Sequence, residues 1–181
     1  AALRWPLGPL GRSRRRRGSQ RRPRGSALEH GFRRTEAIGE PPRARAAKRD
    51  RPRRALVVDD VSSNRKLMGF HVRKLGFDVE FAEDGARAVD MFRRTDGAAG
   101  GADFDVVFMD SVMPVMDGLE ASRRIRAGGF DVIIVGVTGN ALAEDIRDFC
   151  AAGANFVLTK PVSVARLQEQ LARYGLVDSD A

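Results

Sequence analysis

Four of the five apolar runs in the second part of the sequence close with residues that could take part in chemistry. Asp59 and Asp60 close the run ALVVDD, and Asp110 closes FDVVFMD. Thr138 closes DVIIVGVT, and Lys160 lies near the end of NFVLTKP. Because the carboxyl ends of parallel strands meet at one edge of a sheet, we expect these five side chains to converge although they are far apart in the chain.

Three carboxylates at one edge would repel one another, at a cost of about 4 kcal/mol for each pair 4 Å apart in a medium of dielectric 20. Such a group is stable only with positive charge beside it, and Lys160 supplies one unit. Hard carboxylate oxygens at a site shared with phosphate favour magnesium. A single carboxylate at a strand end would more often be a helix cap, but the joint pattern favours a Mg²⁺ site whose waters exchange for phosphoryl oxygens.

The elements that must position these residues follow from the hydrophobic pattern. Short apolar runs alternate with amphipathic stretches of about a dozen residues, which is typical of strand and helix repeats on a parallel sheet. The class of fold is therefore α/β with a doubly wound parallel sheet. The predicted strands are 55–60, 77–82, 104–110, 131–138 and 155–161, and the predicted helices are 62–75, 85–94, 119–127, 141–152 and 162–174.

Two of these elements carry more detailed predictions. Ser62 and Ser63 are residue types that cap a helix, and the first helix is expected to bury one face. The apolar residues assigned to that face are Leu67, Met68, Val72 and Leu75. The run DVIIVGVT is the most apolar of the five and is predicted to be the most deeply buried strand.

Four motifs then carry a resemblance to a known family. The segments VVDD, MDSVMPVMDG, VTGNA and LTKPV look like the four signature blocks of two-component receiver domains, of the chemotaxis-regulator type or from the C-terminal end of a hybrid histidine kinase. The resemblance covers most of residues 54–177. It implies a flavodoxin-like sheet of five parallel strands in the order 2-1-3-4-5, flanked by five helices.

The resemblance also implies the roles of the site residues. Asp110 would be phosphorylated by a phosphohistidine of a histidine kinase or histidine phosphotransfer protein, and the domain would signal by conformational change. Thr138 and Lys160 would contact the phosphoryl oxygens. The implied ligands of Mg²⁺ are Asp59, Asp60, Asp110 and the backbone carbonyl of Val112. No kinase domain is recognised, so the expected catalysis is limited to self-catalysed phosphotransfer and autodephosphorylation at Asp110.

One feature of the family is absent. The aromatic residue of the switch is expected three positions before the lysine, where this chain has Val157, and the neighbouring Phe156 should point to the opposite face of the strand. The predicted switch region is therefore Thr138 and Val157 alone. The resemblance further implies a cis peptide bond before Pro161, while Asp117 has the position of a helix cap.

The beginning of the sequence has a different composition. The chain has 181 residues and a net charge of +8, but residues 1–54 carry 17 Arg and one Lys against three Glu and one Asp, so the remainder has a net charge of −6. Residues 1–53, rich in Arg, Gly and Pro, are predicted to form a disordered tail or linker, and 178–181 a short tail. Residues 54–177 are predicted to be the receiver domain.

Two other functions stay open at this point. One is a pseudo-receiver that binds partners without phosphorylation, and the other is nucleic-acid binding through the basic tail. The effector is not identified by the sequence, and a weak homodimer through the last two helices is a further alternative.

The location of the protein is predicted from what the sequence contains. The single Cys150 fits a reducing compartment, and no run approaches the 18 apolar residues of a membrane span. We therefore expect a cytoplasmic protein without membrane contact. The basic tail leaves nuclear import or an organellar transit peptide open as alternatives.

Overall fold

The structure is a computed structural model that describes residues 52–93, 104–140 and 142–178. The predictions for the arginine-rich tail up to residue 51 and for the last residues, 179–181, concern parts of the chain outside the described residues. Within the described ones, no helix has the length and apolar character that crossing a bilayer requires.

Strands and helices alternate along the described residues, as the hydrophobic pattern predicts. The strands are β1 (Arg53–Val58), β2 (Phe77–Ala82), β3 (Val106–Asp110), β4 (Ile133–Thr138) and β5 (Phe156–Thr159). The helices are α1 (Ser62–Lys74), α2 (Gly85–Arg93), α3 (Gly118–Ala127), α4 (Ala143–Ala151) and α5 (Val164–Arg173).

The five strands form one parallel sheet in the order β2-β1-β3-β4-β5. This order confirms the predicted doubly wound sheet. The register brings the carboxyl ends of the strands level with one another: Val58 pairs with Met109, Asp110 with Val137, and Thr138 with Thr159. The loops that follow β1, β3, β4 and β5 therefore open at the same edge of the sheet.

Each face of the sheet has its own apolar core. On one face, α2, α3 and α4 contribute Ala88, Phe92, Ile125 and Phe149. On the other face, α1 and α5 contribute Val72, Leu167 and Leu171, which are fully buried. The alternation of side chains along each strand supplies both cores at once, because successive residues of a strand point to opposite faces.

The burial of the strands differs from the prediction in one respect. All five residues of β3 are buried, whereas Ile133 at the start of β4 is only partly buried. The prediction that 131–138 forms the most deeply buried strand is therefore wrong. The reason is position: β3 lies at the centre of the sheet and is covered on both faces along its whole length.

The first helix also differs from the prediction. Leu67, which was assigned to the buried face, is 58% exposed. On a helix Leu67 shares its side with Phe70, which is 54% exposed, while Met68, Val72 and Leu75 turn toward the sheet. The assignment failed because 67 and 68 are adjacent positions, separated by about 100° around the helix axis.

The predicted capping by Ser62 and Ser63 is also wrong. The helix cap is Val61, without a side-chain hydrogen bond. The Asp59 carboxylate accepts a hydrogen bond from the Val61 backbone N–H at 2.9 Å. This bond turns the chain into the helix directly after β1, so that both serines already lie within the helix.

Candidate functional site

Three carboxylates lie together at the carboxyl edge of the sheet. Asp59 and Asp60 follow the end of β1, and Asp110 is the last residue of β3. One carboxylate oxygen from each lies within 4.8 Å of the others. Asp59 and Asp110 are buried, whereas Asp60 is exposed. The group therefore has two inner carboxylates and one that faces solvent, an arrangement that could hold a metal ion.

Lys160 joins the two buried carboxylates. Its Nζ lies 2.8 Å from Asp59 Oδ2 and 2.5 Å from Asp110 Oδ1. The residue directly follows β5, and the Lys160-Pro161 peptide bond is cis, as predicted. The Lys160 backbone N–H donates to the Thr138 carbonyl oxygen at 2.8 Å. Lys160 is thus held to β4 by its backbone while its ammonium group reaches across to β1 and β3.

Burial and the neighbouring charges shift the pKa values of Lys160 and Asp110. Burial would lower the pKa of Lys160, but the hydrogen bonds and charges of Asp110 and Asp59 outweigh burial and raise it. Burial raises the pKa of Asp110, and the nearby charge of Asp59 acts in the same direction. Lys160 and a hydrogen bond from the Val112 backbone N–H offset only part of that rise. The ionised Asp110 therefore lacks full compensation from the protein.

The Asp59 side chain is fixed by several donors. Its Oδ1 accepts hydrogen bonds from the Val61 N–H at 2.9 Å and from Asn64 Nδ2 at 3.3 Å. Its other oxygen, Oδ2, accepts from Lys160, and its backbone carbonyl accepts from the Arg65 guanidinium. Both carboxylate oxygens of Asp59 therefore have partners, which fixes the orientation of its side chain.

Thr138, at the end of β4, is 4% exposed. Its Oγ1 accepts a hydrogen bond from Ser111 Oγ at 3.2 Å and one from the Asn140 backbone N–H at 3.1 Å. Because β4 pairs with β3, the threonine lies beside the residues that follow Asp110. Val112, the implied source of a carbonyl ligand, is in the same loop and is 78% exposed.

The loop between β3 and α3 is shaped by two residues near its end. Asp117 caps α3 by accepting a hydrogen bond from the Glu120 N–H at 2.8 Å, as predicted. Gly118 packs directly against the backbone of Asp110, and a Cβ atom there would overlap the Asp110 carbonyl oxygen. A glycine at position 118 is therefore what lets the loop close against the end of β3.

Val157 and Phe156 face opposite sides of the sheet, as predicted. Val157 packs partly buried against the core under α2, α3 and α4, while Phe156 lies in the other core and stacks on Tyr174 with ring centroids 5.1 Å apart. An aromatic ring from α4 reaches the Val157 side instead. Phe149 packs on Gly136, which pairs with Val157, and a Cβ on Gly136 would lie 2.8 Å from the ring.

The structure thus brings Asp59, Asp60, Asp110 and Lys160 into one cluster and places Thr138 at its border, whereas Val157 lies deeper in the sheet. The sequence reasoning missed three polar residues in contact with these groups, namely Asn64, Ser111 and Asn140. Their positions carried a usable signal, since Ser111 directly follows Asp110, Asn140 is two residues after Thr138, and Asn64 lies in the first turn of α1.

Comparison with known proteins agrees with this geometry. The family described as response regulator receiver domain matches residues 55–172. The chain therefore belongs to the response regulator receiver family. It is a receiver domain of a two-component phosphorelay, and its sheet is the flavodoxin-like sheet of the chemotaxis regulators in that family.

Two relatives illustrate the settings in which the domain occurs. The chain is 40% identical over 125 residues to the two-component response regulator ORR41 of Oryza sativa subsp. japonica, covering 68% of this chain and 94% of the relative. It is 37% identical over 119 residues to the sensor histidine kinase RcsC of Salmonella typhi, covering 66% of this chain. The match spans 12% of the length of that kinase.

Two solved structures are similar at the level of the fold and of the sequence. One is the receiver domain of the sensor histidine kinase PA1611 from Pseudomonas aeruginosa PAO1, with a magnesium ion coordinated in the active site cleft, at 35% identity and a TM-score of 0.59, covering 68% of this chain and 98% of that one. The other is the receiver domain of Ssk1 in complex with the histidine phosphotransfer protein Ypd1 of Saccharomyces cerevisiae, at 30% identity and a TM-score of 0.59, covering 68% and 90%. Receiver domains thus interact with histidine kinases or phosphotransfer proteins.

Proposed function

We propose that Asp110 accepts a phosphoryl group from a phosphohistidine of a partner protein. The observation that carries the proposal is the Lys160 ammonium group, which binds the two buried carboxylates of Asp59 and Asp110 at the edge where the strands end. A buried nucleophile beside a fixed cation suits the transfer of an anionic group. The third carboxylate, Asp60, is exposed and could help hold a cation at the mouth of the site.

The chemistry follows from the residue types. An oxygen of the ionised Asp110 carboxylate attacks phosphorus, the new P–O bond forms as the P–N bond to the donor imidazole breaks, and the imidazole leaves. As the charge of the carboxylate is lost to the acyl phosphate, Lys160 is free to pair with the phosphoryl oxygens. The Thr138 hydroxyl donates a hydrogen bond to another of these oxygens.

The carboxylates of Asp59, Asp60 and Asp110 and the carbonyl oxygen of Val112 would hold Mg²⁺. Three carboxylate oxygens within 4.8 Å of one another, two of them on buried residues, are hard ligands of the kind that this ion prefers. When bound, the ion supplies the positive charge that the phosphoryl oxygens require. The incomplete compensation of Asp110 by Lys160 supports a need for that charge.

Hydrolysis of the acyl phosphate would use the same groups. Water that enters in line with the P–O bond replaces Asp110, and Lys160 and Thr138 keep their contacts with the phosphoryl oxygens. The proposed activity of the chain is thus self-catalysed phosphotransfer and autodephosphorylation at Asp110, with the phosphoryl group supplied by another protein.

The phosphodonor is proposed to approach over α1. Leu67 and Phe70 present more than half of their surface to solvent on this helix. Leu67 also lines a pocket of about 460 Å³ that reaches Asp59 and Lys160. An apolar strip that leads to the site suits a partner that must place a histidine at Asp110.

The charge of α1 indicates the chemistry of that partner. The helix contains no acidic residue, and its lysine and arginine residues are Arg65, Lys66, Arg73 and Lys74. Lys74 lies over the Phe70 ring, 4.5 Å from its centroid. The partner surface is therefore expected to be apolar with carboxylates around it, as a histidine kinase or histidine phosphotransfer protein could provide.

The switch is proposed to consist of Thr138 and Val157. Movement of the threonine toward a phosphoryl group would break its bond with the Asn140 N–H, in the connection that leads to α4. Val157 leaves room beside Gly136 that the Phe149 ring of α4 occupies. The readout is then a displacement of α4, without rotation of an aromatic residue on β5.

The functional unit is proposed to comprise residues 54–177 together with Arg53, the first residue of β1. The Arg53 guanidinium donates to the Gly175 carbonyl oxygen at 2.9 Å and also to that of Leu176. These bonds tie the start of β1 to the end of α5, so a shortened chain for experiments should begin at or before Arg53.

The phosphoacceptor proposal is tested by incubating the protein with Mg²⁺ and phosphoramidate, a small-molecule phosphodonor, and then measuring the intact mass. We expect one phosphoryl group per chain, located on Asp110 by peptide mapping and removed by hydroxylamine. Asp110→Asn should remain unmodified, and Asp117→Asn, which changes a helix cap, is the matched control and should be modified normally. Modification of Asp110→Asn to the same extent as the wild type would refute the proposal.

The donor surface is tested separately with a phosphorylated histidine phosphotransfer protein. Phe70→Glu should slow transfer from that protein by about tenfold or more, because it places a charge in the apolar strip, and should leave the reaction with phosphoramidate unchanged. Equal transfer rates for Phe70→Glu and wild type would place the docking surface elsewhere.

A further inference from the structure

The Thr138 hydroxyl has a specific hydrogen-bond arrangement. A hydroxyl group can accept two hydrogen bonds and donate one. Thr138 Oγ1 accepts from the Ser111 hydroxyl at 3.2 Å and from the Asn140 N–H at 3.1 Å. The Asn140 N–H can act only as a donor, whereas the direction of the bond between the two hydroxyls is set by which of them donates elsewhere. Once the Thr138 O–H donates to an anion, the Ser111 O–H must be the donor in the bond between the two hydroxyls.

Ser111 is the better fixed of the two donors. Its backbone N–H donates to the Val137 carbonyl oxygen at 3.0 Å, and its carbonyl oxygen accepts from the Gly118 N–H at 3.1 Å. These bonds hold Ser111 to β4 on one side and to the start of α3 on the other. Since Ser111 also directly follows Asp110, these bonds fix the Ser111 backbone next to the phosphoacceptor position.

We propose that Ser111 is a positioning residue for phosphoryl transfer, which directs the Thr138 hydroxyl as a hydrogen-bond donor toward the phosphoryl group on Asp110. The inference rests on the proposed function and adds a residue to the same site. The Asn140 N–H also donates to the Thr138 oxygen. Asn140 lies in the connection to α4, however, and this connection must move if the switch operates as proposed. Ser111 therefore holds the threonine oxygen when the Asn140 bond is lost.

The energy of one hydrogen bond sets the size of the effect. A net contribution of about 0.5–1.5 kcal/mol corresponds to a change of roughly threefold to tenfold in rate. The effect should fall on the maximal rate of Asp110 phosphorylation and leave the half-saturating concentration of phosphoramidate nearly unchanged. Ser111 acts on Thr138, which in turn acts on the transferring group, so it does not contribute to holding the free donor.

The test is a double-mutant cycle with Ser111→Ala, Thr138→Ala and the variant that combines them. Phosphorylation of Asp110 by phosphoramidate with saturating Mg²⁺ is followed by intact mass. We expect Ser111→Ala to slow the wild type by threefold to tenfold and to change the rate of Thr138→Ala by less than about twofold. An equal slowing in both backgrounds would show that Ser111 does not act through Thr138 and would overturn the inference.

A second pair of variants separates the hydroxyl from the packing of the side chain. Ser111→Thr keeps the hydroxyl and adds a methyl group, and Ser111→Val has the shape of threonine with a methyl group in place of the hydroxyl. We expect Ser111→Thr to retain the wild-type rate within about twofold and Ser111→Val to match Ser111→Ala. This pair decides the question even if Ser111→Ala does not fold, and equal rates for Thr and Val would contradict the proposal.

Controls separate this inference from the function on which it rests. Ser122→Ala removes a buried hydroxyl that donates to the Gly118 carbonyl oxygen at 2.7 Å on α3, and it should leave the phosphorylation rate unchanged. If the wild type itself is not phosphorylated, the proposed function and this inference both fail. If the wild type is phosphorylated and both Ser111→Ala and Ser111→Val match it, only the inference about Ser111 fails.

Discussion

Two regions of the domain are held together in different ways. One is the acidic edge of the sheet, formed by Asp59, Asp60, Asp110 and Lys160, and the other is the face beneath α4, where Phe149 packs on Gly136. At the edge, Asp59 has partners on both carboxylate oxygens, and Lys160 joins it to Asp110. In α4, Phe149 is the buried residue, and the N-cap residue Leu142 makes no side-chain hydrogen bond to the helix. The difference shows an acidic site held by ion pairs and hydrogen bonds next to a helix with one buried residue, which is the combination that the proposed switch requires.

The largest effect on the acidic edge is expected from the loss of its lysine side chain. Lys160→Ala should reduce the rate of Asp110 phosphorylation by phosphoramidate by about 100-fold or more, because the phosphoryl oxygens lose a fixed positive charge. The rate is measured by intact mass at saturating Mg²⁺. Lys74→Ala removes an equal charge from the surface of α1 and is the control. A decrease of less than tenfold for Lys160→Ala would mean that the edge does not provide this stabilisation.

The rigidity of the edge is tested by Gly118→Ala. The new methyl group would overlap the Asp110 carbonyl oxygen and lie 3.0 Å from the Met109 side chain, so we expect the free energy of unfolding to fall by about 3 kcal/mol. Urea titration followed by circular dichroism measures the change. A Cβ on Gly139 has no atom within 4 Å, and Gly139→Ala should change the stability by less than about 1 kcal/mol. Equal stabilities for the two variants would contradict the close packing of this loop.

The face beneath α4 is tested by Gly136→Ala, which places a methyl group 2.8 Å from the Phe149 ring. We expect a loss of about 1 to 2 kcal/mol in stability and faster hydrogen exchange of the α4 amides, with phosphorylation of Asp110 changed less than twofold. The double variant Gly136→Ala/Phe149→Leu should recover part of the exchange protection, because the smaller side chain makes room. Slower phosphorylation without faster exchange would show that this face supports the site rather than the helix.

The smallest effect concerns the charge on Asp110. Because burial raises its pKa in the folded state, the ionised carboxylate opposes folding, and Asp110→Asn should be more stable than the wild type by about 1 kcal/mol at neutral pH without Mg²⁺. The advantage should be absent at pH values below the ordinary pKa of aspartate and should appear as the pH rises toward the raised value in the folded state. Thermal unfolding in EDTA across that range measures it.

The same comparison of Asp110→Asn with the wild type is repeated in the presence of Mg²⁺. The ion would compensate the carboxylates of the wild type more than those of Asp110→Asn, so the difference in stability should shrink. An advantage of the variant that is the same at every pH and at every Mg²⁺ concentration would mean that it does not come from the charge.

The elements of the fold could be predicted because their signals are local. Apolar runs such as FDVEFA and the Ala88, Val89 and Phe92 spacing of α2 reflect the periods of a strand and a helix, and the structure buries those three helical residues. The ends of the strands and helices were predicted less accurately. The strand predicted to include Asp59 and Asp60 ends at Val58, because hydrogen bonds with neighbouring strands decide where a strand stops.

The candidate site could be predicted in its composition but not in its contacts. Charged residues after apolar strands identified the carboxylates and Lys160, since parallel strands end at one edge. Nothing in the local sequence shows that Ser111 donates to Thr138, 27 positions away, or that Leu67 turns outward. These depend on the register between β3 and β4 and on the rotation of α1 against the sheet.

The order of apolar and charged residues thus determined the class of fold, the edge at which the polar residues meet and the family to which the chain belongs. Tertiary structure alone decided that Lys160 is shared by Asp59 and Asp110, that Phe149 fills the space beside Val157, and that the Ser111 and Thr138 hydroxyls lie within hydrogen-bonding distance. The reason is distance along the chain: Lys160 and Asp59 are 101 positions apart, and only the packing of the sheet brings such residues within hydrogen-bonding range.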